Sequence, residues 1–285
     1  MRATSPSRTA EAVCFMRATD QRRPPERRTV DDPYAERFLS PASRVALRAV
    51  DAAGEPGERL EARTRKGVLA YVLARHRYID DALLAALGAG IRQVLILGAG
   101  YDTRAWRFAD ALAGAVVFEV DHPATAARKA RLAAALPVVT RRVTVDFETQ
   151  DLTGRLLDAG FDAGAATFVA WEGVSMYLTR AAVGATLDAL HDLTGPGSTI
   201  AMDWLRVADG PGIAAVLERL GPRMLALIGE PARLYLTPAE STALVAHHGW
   251  RVTDIADTPE LEALLRDPRR ITGAMYVSSL VRRDR

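Results

Sequence analysis

The sequence predicts an α/β fold in which seven mostly parallel strands carry helices on both faces, preceded by a helical segment. Three observations predict it. Strand-like runs and helix-like stretches alternate from residue 93 onward, the order that builds a parallel sheet through helical crossovers. The first strand-like run ends in Gly98-Ala99-Gly100, a tight turn that lets a ligand approach the backbone. The last two runs are joined by "ADTPELEALLRDPRR", which offers no clear full crossover, so the final strand is expected to run antiparallel.

Apolar spacing in "SRTAEAVCFMRA" predicts a short helix opening near Ser7. "RRPPERRTVDDPY" is a turn-rich break with paired prolines. A long helix follows through "RKGVLAYVLARHRYIDDALLAALGAG" and closes in glycines suited to a C-terminal cap. The strands are then "QVLILG", "AVVFEV", "VTRRVTVDF", "ATFVAW", "STIAMDW", "WRVTDI" and "MYVSSLV", with helices at 103–112, 122–135, 150–159, 179–193 and 237–248. "RVADGPGIAAVLERLGPRMLALIGEPARLYL" breaks this alternation. It reads as a lid or substrate wall offering Met224, Leu225 and Leu227, or as ordinary core packing. The chain thus divides into a helical cap, 1–90, and a core, 91–285, with an insertion at about 205–236.

With 285 residues, 49% of them hydrophobic, the chain can bury a sizeable core. A net charge of +2 argues against a broad nucleic-acid surface. Seven arginines fall in the first 28 residues: Arg2, Arg8, Arg17, Arg22, Arg23, Arg27 and Arg28. They read as a basic arm, as partners of an anionic small molecule, or as a solvated segment. The one cysteine, Cys14, excludes an internal disulfide and a cysteine-based metal site, and points to a reducing, cytoplasmic setting. No apolar stretch approaches the ~18 residues of a membrane span, and no signal-peptide core follows the basic N-terminus.

In an open sheet of this type ligands sit beyond the carboxyl ends of the strands. After Gly98 and Gly100 a dinucleotide fingerprint would place a third glycine; here Thr103 stands in its place and Asp102 adds a negative charge. A carboxylate there repels phosphate and suits a cationic ligand; a plain tight turn is the simpler reading. Asp121 follows the second strand by the spacing of a ribose-binding acid, or caps the helix at His122-Pro123. Asp146 and Phe147 follow the third strand, where a carboxylate and an amide could read an adenine, or Asp146 could cap a helix. Glu172 follows the fourth, with Met176 and Tyr177 as candidate substrate-wall residues. A buried glutamate without a partner is expensive. Four carboxylates around one cleft suit a sulfonium with a free amine and a ribose diol, and they suit a pyrophosphate badly. The expected cofactor is therefore S-adenosyl-L-methionine.

The stretches "LILGAGYDTRAWRF", "VFEVDHP", "VDF", "WEGVSMYL", "SRTA", "DDPYAERF" and "YVLARHRYIDD" together resemble the leucine carboxyl methyltransferase family, over roughly residues 5 to 280. Its bacterial branch includes carboxyl O-methyltransferases of aromatic polyketide pathways. The resemblance implies a Rossmann-like class I methyltransferase fold with cofactor contacts at Arg8, Arg75, Gly98, Asp121, Asp146, Phe147 and Glu172. It assigns the methionine carboxylate to Arg8 and Arg75. Arg75 and Arg77 leave a helix on nearly opposite sides, and Arg75 is the one expected to reach the cofactor. Phe147 stands where relatives usually have leucine.

Methyl transfer needs the nucleophile held close and aligned. A carboxylate is already ionised, whereas a phenol benefits from a general base. No such base stands out: His76, His191, His247 and His248 read as structural or solvated, and His122 as part of a turn. No residue spacing resembles a metal site. The expected activity is methyl-ester formation on a small molecule, with a phenolic or hydroxyl acceptor as the alternative. The missing third glycine and Asp102 count against an NAD-dependent oxidoreductase, and the absence of "[DN]PP[YF]" after the fourth strand counts against a nucleic-acid methyltransferase. A non-catalytic S-adenosylmethionine binder stays open.

Overall fold

The computed structural model describes residues 7–64, 67–145, 150–206, 232–267, 269–271 and 273–284, with only the backbone described over 53–64. Seven strands form one sheet: β1 (Gln93–Leu97), β2 (Val116–Asp121), β3 (Arg141–Thr144), β4 (Thr167–Trp171), β5 (Thr199–Leu205), β6 (Trp250–Ala256) and β7 (Met275–Arg282). Their spatial order is β3-β2-β1-β4-β5-β7-β6. The pairings among β1 to β5 are all parallel, and β7 runs antiparallel between β5 and β6. The chain moves outward from β1 through β2 to β3, then returns to lay β4 on the other side of β1. That reversal opens a crevice at the carboxyl ends of β1 and β4, where this fold class binds ligands.

Strand alternation sorts the core into two layers. Val94, Ile96, Phe168 and Ala170 face one side and pack with α3 (Val68–Gly88). Leu95, Leu97, Val169 and Trp171 face the other and pack with α6 (Leu152–Asp158), α7 (Arg180–Leu193) and α8 (Pro238–His247). The edge strand β3 is shorter than its sequence run and exposes Arg141 and Arg142, charges that blunt an open edge. Between β6 and β7 the doubtful segment forms α9 (Thr258–Leu264), opened by a capping box of Asp257 and Glu260.

The cap begins with α1 (Arg8–Gln21), whose N-cap Ser7 accepts a hydrogen bond from the Ala10 amide. The turn-rich break contains one 3-10 turn, Pro25–Arg27, and a second, Ala35–Phe38, follows it directly. A helix that the sequence patterns do not announce, α2 (Pro41–Thr64), follows. It opens on a proline at its first position, with the Ser40 hydroxyl accepting from the Ser43 amide. Cys14, Ala18, Phe38, Leu47, Tyr101, Trp106 and Ala133 form a third core that joins the cap to the sheet. The helix expected over 103–112 is a single turn, α4 (Arg104–Arg107); beyond Phe108 the chain proceeds in turns that bury Leu112. The helix expected at 122–135 is α5 (Pro123–Leu132). Most of the expected insertion, with Met224, Leu225 and Leu227, lies outside the described residues. Among the described residues no helix is long and apolar enough to cross a membrane.

Candidate active site

The chain leaves β1 through Gly98 (φ 66°) and Gly100 (φ 47°), both in the left-handed region that favours glycine. A Cβ on Gly98 would lie 2.2 Å from Val174 Cγ2, and one on Gly100 would lie 3.1 Å from the Ala10 Cβ of α1. The loop after β4 and the cap helix therefore close directly on this turn. The Gly100 amide donates to Asp121 Oδ2 at 2.5 Å, and the His122 amide donates to Asp121 Oδ1 at 2.6 Å. Asp121 does not cap α5; His122 does, through Nδ1, which accepts from the Ala124 amide at 3.4 Å. Burial pushes the Asp121 carboxyl up to about 6, outweighing the two amide hydrogen bonds that favour its charge.

Beside this turn α3, α4, β4 and β5 bring together a buried ionic cluster. Arg75 donates from Nε to Glu172 Oε1 at 3.0 Å and from Nη1 to Asp203 Oδ2 at 2.7 Å. Asp203 Oδ1 accepts the Gly173 amide at 2.7 Å, so one carboxylate ties the arginine to the β4 loop. Arg104 Nη2 donates to Glu172 Oε2 at 2.7 Å, and Arg104 Nε to Asp80 Oδ1 at 2.7 Å. Arg107 Nη1 donates to Asp80 Oδ2 at 2.7 Å. Burial would raise the Glu172 carboxyl, but His76, Arg104 and Arg75 together hold it well below the usual carboxylate range.

Asp102 does not present a free charge to a ligand. Its Oδ1 accepts the Arg104 amide at 2.7 Å and its Oδ2 pairs with the Arg104 guanidinium. Four arginines (Arg17, Arg75, Arg104, Arg107) thus face five carboxylates (Asp32, Asp80, Asp102, Glu172, Asp203). The strand ends are rich in cations that the motif-by-motif reading of acids overlooked, although Arg104 and Arg107 stand in the same "GYDTRAWRF" stretch.

His76 is fully buried within this cluster. Its Nε2 lies 2.9 Å from Arg107 Nη2, and its Nδ1 lies 3.0 Å from Glu172 Oε2. A guanidinium only donates, and each ring nitrogen faces one, since Arg104 Nη2 also lies 3.0 Å from Nδ1. Only Nδ1 also has a carboxylate at hydrogen-bond distance, so the tautomer that donates from Nδ1 to Glu172 and accepts at Nε2 from Arg107 satisfies more of these contacts and leaves the Arg104–Nδ1 contact without a hydrogen bond. Burial and the neighbouring Arg104 lower the pKa of the ring, which agrees with a neutral imidazole in this one tautomer.

The cap adds the last members. Arg17 donates from Nε to Asp32 Oδ2 at 2.9 Å and from Nη2 to the Tyr101 carbonyl at 2.5 Å. The Thr103 hydroxyl donates to Asp32 Oδ2 at 2.7 Å. The residue in place of the third glycine is therefore an anchor between cap and loop. Other N-terminal arginines also form ion pairs, Arg22 with Glu36, Arg23 with Asp267 and Arg28 with Asp31. Arg8 opens α1, is exposed and makes no ion pair with a described residue. Arg77 pairs with Asp81 on the outer side of α3, while Arg75 faces the cluster. Met176 is buried in a 3-10 turn, Ser175–Tyr177, with Tyr177 half-buried beside it. Asp146 and Phe147 lie outside the described residues. Asp32, Asp80 and Asp203 join Arg104 and Arg107 as members that sequence reasoning missed, while His76, read there as structural or solvated, is buried among them; Asp203 sits near the end of β5 and could have been found by the strand-end rule.

Two solved structures share this fold along nearly the whole chain. A methyltransferase from Thermobifida fusca, so named provisionally, superimposes with a TM-score of 0.62 at 18% identity, covering 98% of this chain and 96% of that one. A DUF574-family protein from Streptomyces avermitilis gives 0.63 at 19%, covering 98% of both. The sheet order, with its antiparallel seventh strand, and the glycine turn answered by a strand-end aspartate define a class I methyltransferase. More narrowly, the chain belongs to the leucine carboxyl methyltransferase family, whose profile matches residues 10–191. Relatives provisionally named S-adenosyl-L-methionine-dependent methyltransferases include one from Parafrankia sp., 35% identical over 266 residues (91% of this chain, 81% of that protein). Another, from Mycolicibacterium smegmatis, is 36% identical over 265 residues (88% and 85%).

Proposed function

We propose that this S-adenosylmethionine-dependent methyltransferase forms a methyl ester on a small-molecule carboxylate. The cofactor supplies a methyl group on a sulfonium already activated for displacement. The residues present fit it. Asp121 keeps acceptor capacity on both oxygens for a ribose diol beyond its two amide bonds. Arg75 is a carboxylate receptor, and Glu172 an ammonium receptor, side by side. Glu172 already accepts hydrogen bonds from Arg75, Arg104 and His76, and Arg75 Nη2 lies a further 3.0 Å from Oε1. A carboxylate has about four lone-pair sites, so an ammonium that enters here competes with Arg75 for the crowded Oε1. Arg104 and His76 are held by Asp80, Asp102 and Arg107. Arg75 is the donor that an amino-acid head group can draw off, because the same ligand brings a carboxylate for it. Arg8 closing over the cofactor, and Asp146 with Phe147 at the adenine, complete the proposed set.

The observation that supports a carboxylate acceptor is the commitment of the imidazoles. His76 spends both nitrogens inside the cluster. His122 caps α5, His191 faces the Arg283 carbonyl, His248 pairs with Asp188, and His247 is exposed at the end of α8, stacked edge-on to His248. An acceptor that arrives ionised needs none of them. Its oxygen attacks the methyl carbon, the carbon–sulfur bond breaks, and S-adenosylhomocysteine leaves without a proton transfer. Acids of aromatic polyketide type are the acceptors suggested by the family's bacterial branch. Incubation with S-adenosylmethionine and a panel of carboxylic acids and phenols, followed by mass detection, tests this. Mild alkali releases methanol from an ester and leaves an aryl ether intact; a base-stable product overturns the carboxylate reading in favour of a hydroxyl acceptor.

A further inference from the structure

A cluster of arginines lies where the cap meets α5, built from residues other than those of the strand-end cluster. A groove of about 520 Å³ is lined by Glu36, Arg37, Arg44, Arg48, Arg131 and Leu132. Three elements converge there. Arg37 comes from the 3-10 turn Ala35–Phe38, Arg44 and Arg48 from one face of α2, four residues apart, and Arg131 from the last turn of α5. Two of the guanidiniums are braced by backbone carbonyls. Arg37 Nε donates to the Leu132 carbonyl at 3.0 Å. Arg44 donates from Nη2 to the Arg37 carbonyl at 2.9 Å and from Nε to the Glu36 carbonyl at 3.3 Å. Each keeps further N–H groups for the groove. Arg48 and Arg131 are exposed and have no carboxylate partner among the described residues.

Several nearby arginines meet carboxylates: Arg17 meets Asp32, Arg22 meets Glu36, Arg23 meets Asp267 and Arg128 of α5 meets Glu11, whereas Arg8 is unpaired among the described residues. In the groove the one lining acid, Glu36, is already paired with Arg22, which also reaches Asp51 at 3.6 Å. Four positive charges along one shallow, open groove, two of them held in place, repel one another until an anion enters. Guanidinium forks match phosphate oxygens two at a time, and bracing lowers the entropy lost on binding. We infer that this groove is an anion site for a phosphoryl group, separate from the cofactor crevice.

The test uses the full-length protein saturated with S-adenosylhomocysteine, so that the cofactor site is occupied. Inorganic pyrophosphate, orthophosphate and glycerol 3-phosphate are titrated calorimetrically at about 0.15 M salt, where loose surface charge is largely screened. Saturable one-to-one binding of pyrophosphate is expected, weakened at least about tenfold in the Arg48→Ala, Arg131→Ala double variant. Both positions are exposed, so the variant should fold and keep its affinity for S-adenosylhomocysteine. Glycerol 3-phosphate binding as tightly as orthophosphate or tighter assigns the site to a phosphate ester, and the reverse to the free ion. Absence of saturation at millimolar pyrophosphate, equal binding by the double variant, or binding of hexaglutamate in its stead overturns the inference.

Discussion

Asp121 is where one residue's chemistry is most exposed to test. Its carboxyl is pushed up to about 6 by burial, and only the ionised form offers full acceptor strength to a ribose diol. A raised pKa leaves the acid protonated below about 6, so cofactor affinity should be complete at pH 8 and fall with acidification. S-adenosylhomocysteine should bind about tenfold more weakly at pH 5 than at pH 8, and Asp121→Asn should bind weakly with little pH dependence; calorimetry across this range checks both. The tautomer of His76 gives a second prediction. Asn at position 76 can place an N–H where Nδ1 donates to Glu172, whereas Gln extends towards the Nε2 position facing Arg107. His76→Asn should keep S-adenosylhomocysteine affinity within about threefold, and His76→Leu should lose about tenfold or more, the scale of a hydrogen bond to a charged group. Imidazole NMR should show a neutral ring protonated on Nδ1 from pH 5 to 8. A protonated ring, or an Asn variant as weak as the Leu one, would refute the assignment.

At the scale of elements, the cap is part of the site's framework. Helix α1 buries Cys14, Met16, Arg17 and Ala18 and sets Ala10 against Gly100. Burial pushes the Cys14 thiol up to about 12, so this cysteine is a packed hydrophobe without thiolate reactivity. The Arg17–Asp32–Thr103 chain joins α1, the following break and the glycine loop. Asp32→Ala leaves Arg17 buried without its carboxylate, a change that should cost about 3–5 kcal/mol in urea unfolding. Removing residues 1–21 should destabilise the whole protein as well as the cofactor site, because it opens the third core. A truncated chain with an unchanged unfolding midpoint would show the cap to be an appendage.

For the molecule as a whole, turnover reports on the acceptor. A carboxylate titrates near ~4, so the acceptor itself contributes no pH dependence from about pH 6.5 to 8, above the Asp121 transition. A phenol near ~10 without a base gives rates that climb throughout that window. Initial rates at saturating cofactor separate the two, and a rising profile would count against the ester product. The fold that presents this chemistry is assembled around β1, from which the sheet grows in both directions, with the ionic cluster where β1 and β4 diverge.

Short apolar runs alternating with helix-like stretches made the seven strands legible, because a strand covered on both faces reads as a near-continuous apolar run; the antiparallel end was expected from a link that offered no clear full crossover, although that link carries α9. The glycine turn and the acids Asp121 and Glu172 were legible for a related reason: strand ends in this fold are fixed positions, and unusual residues stand out there. Helix α2 was not legible, since Gly54, Pro56 and Gly57 interrupt its pattern and local propensity is a weak guide where tertiary packing can override it. Nor was the pairing of charges. Arg104 and Asp102 are two residues apart, but Arg75, Glu172 and Asp203 come from three distant segments. A charge on its own sequence shows only that it needs a partner, because burying it is costly; which partner it meets depends on the crossing of α3 over the ends of β4 and β5. The tertiary structure alone decided that Asp102 serves Arg104, that Thr103 anchors the cap, and that His76 is buried among Glu172, Arg104 and Arg107.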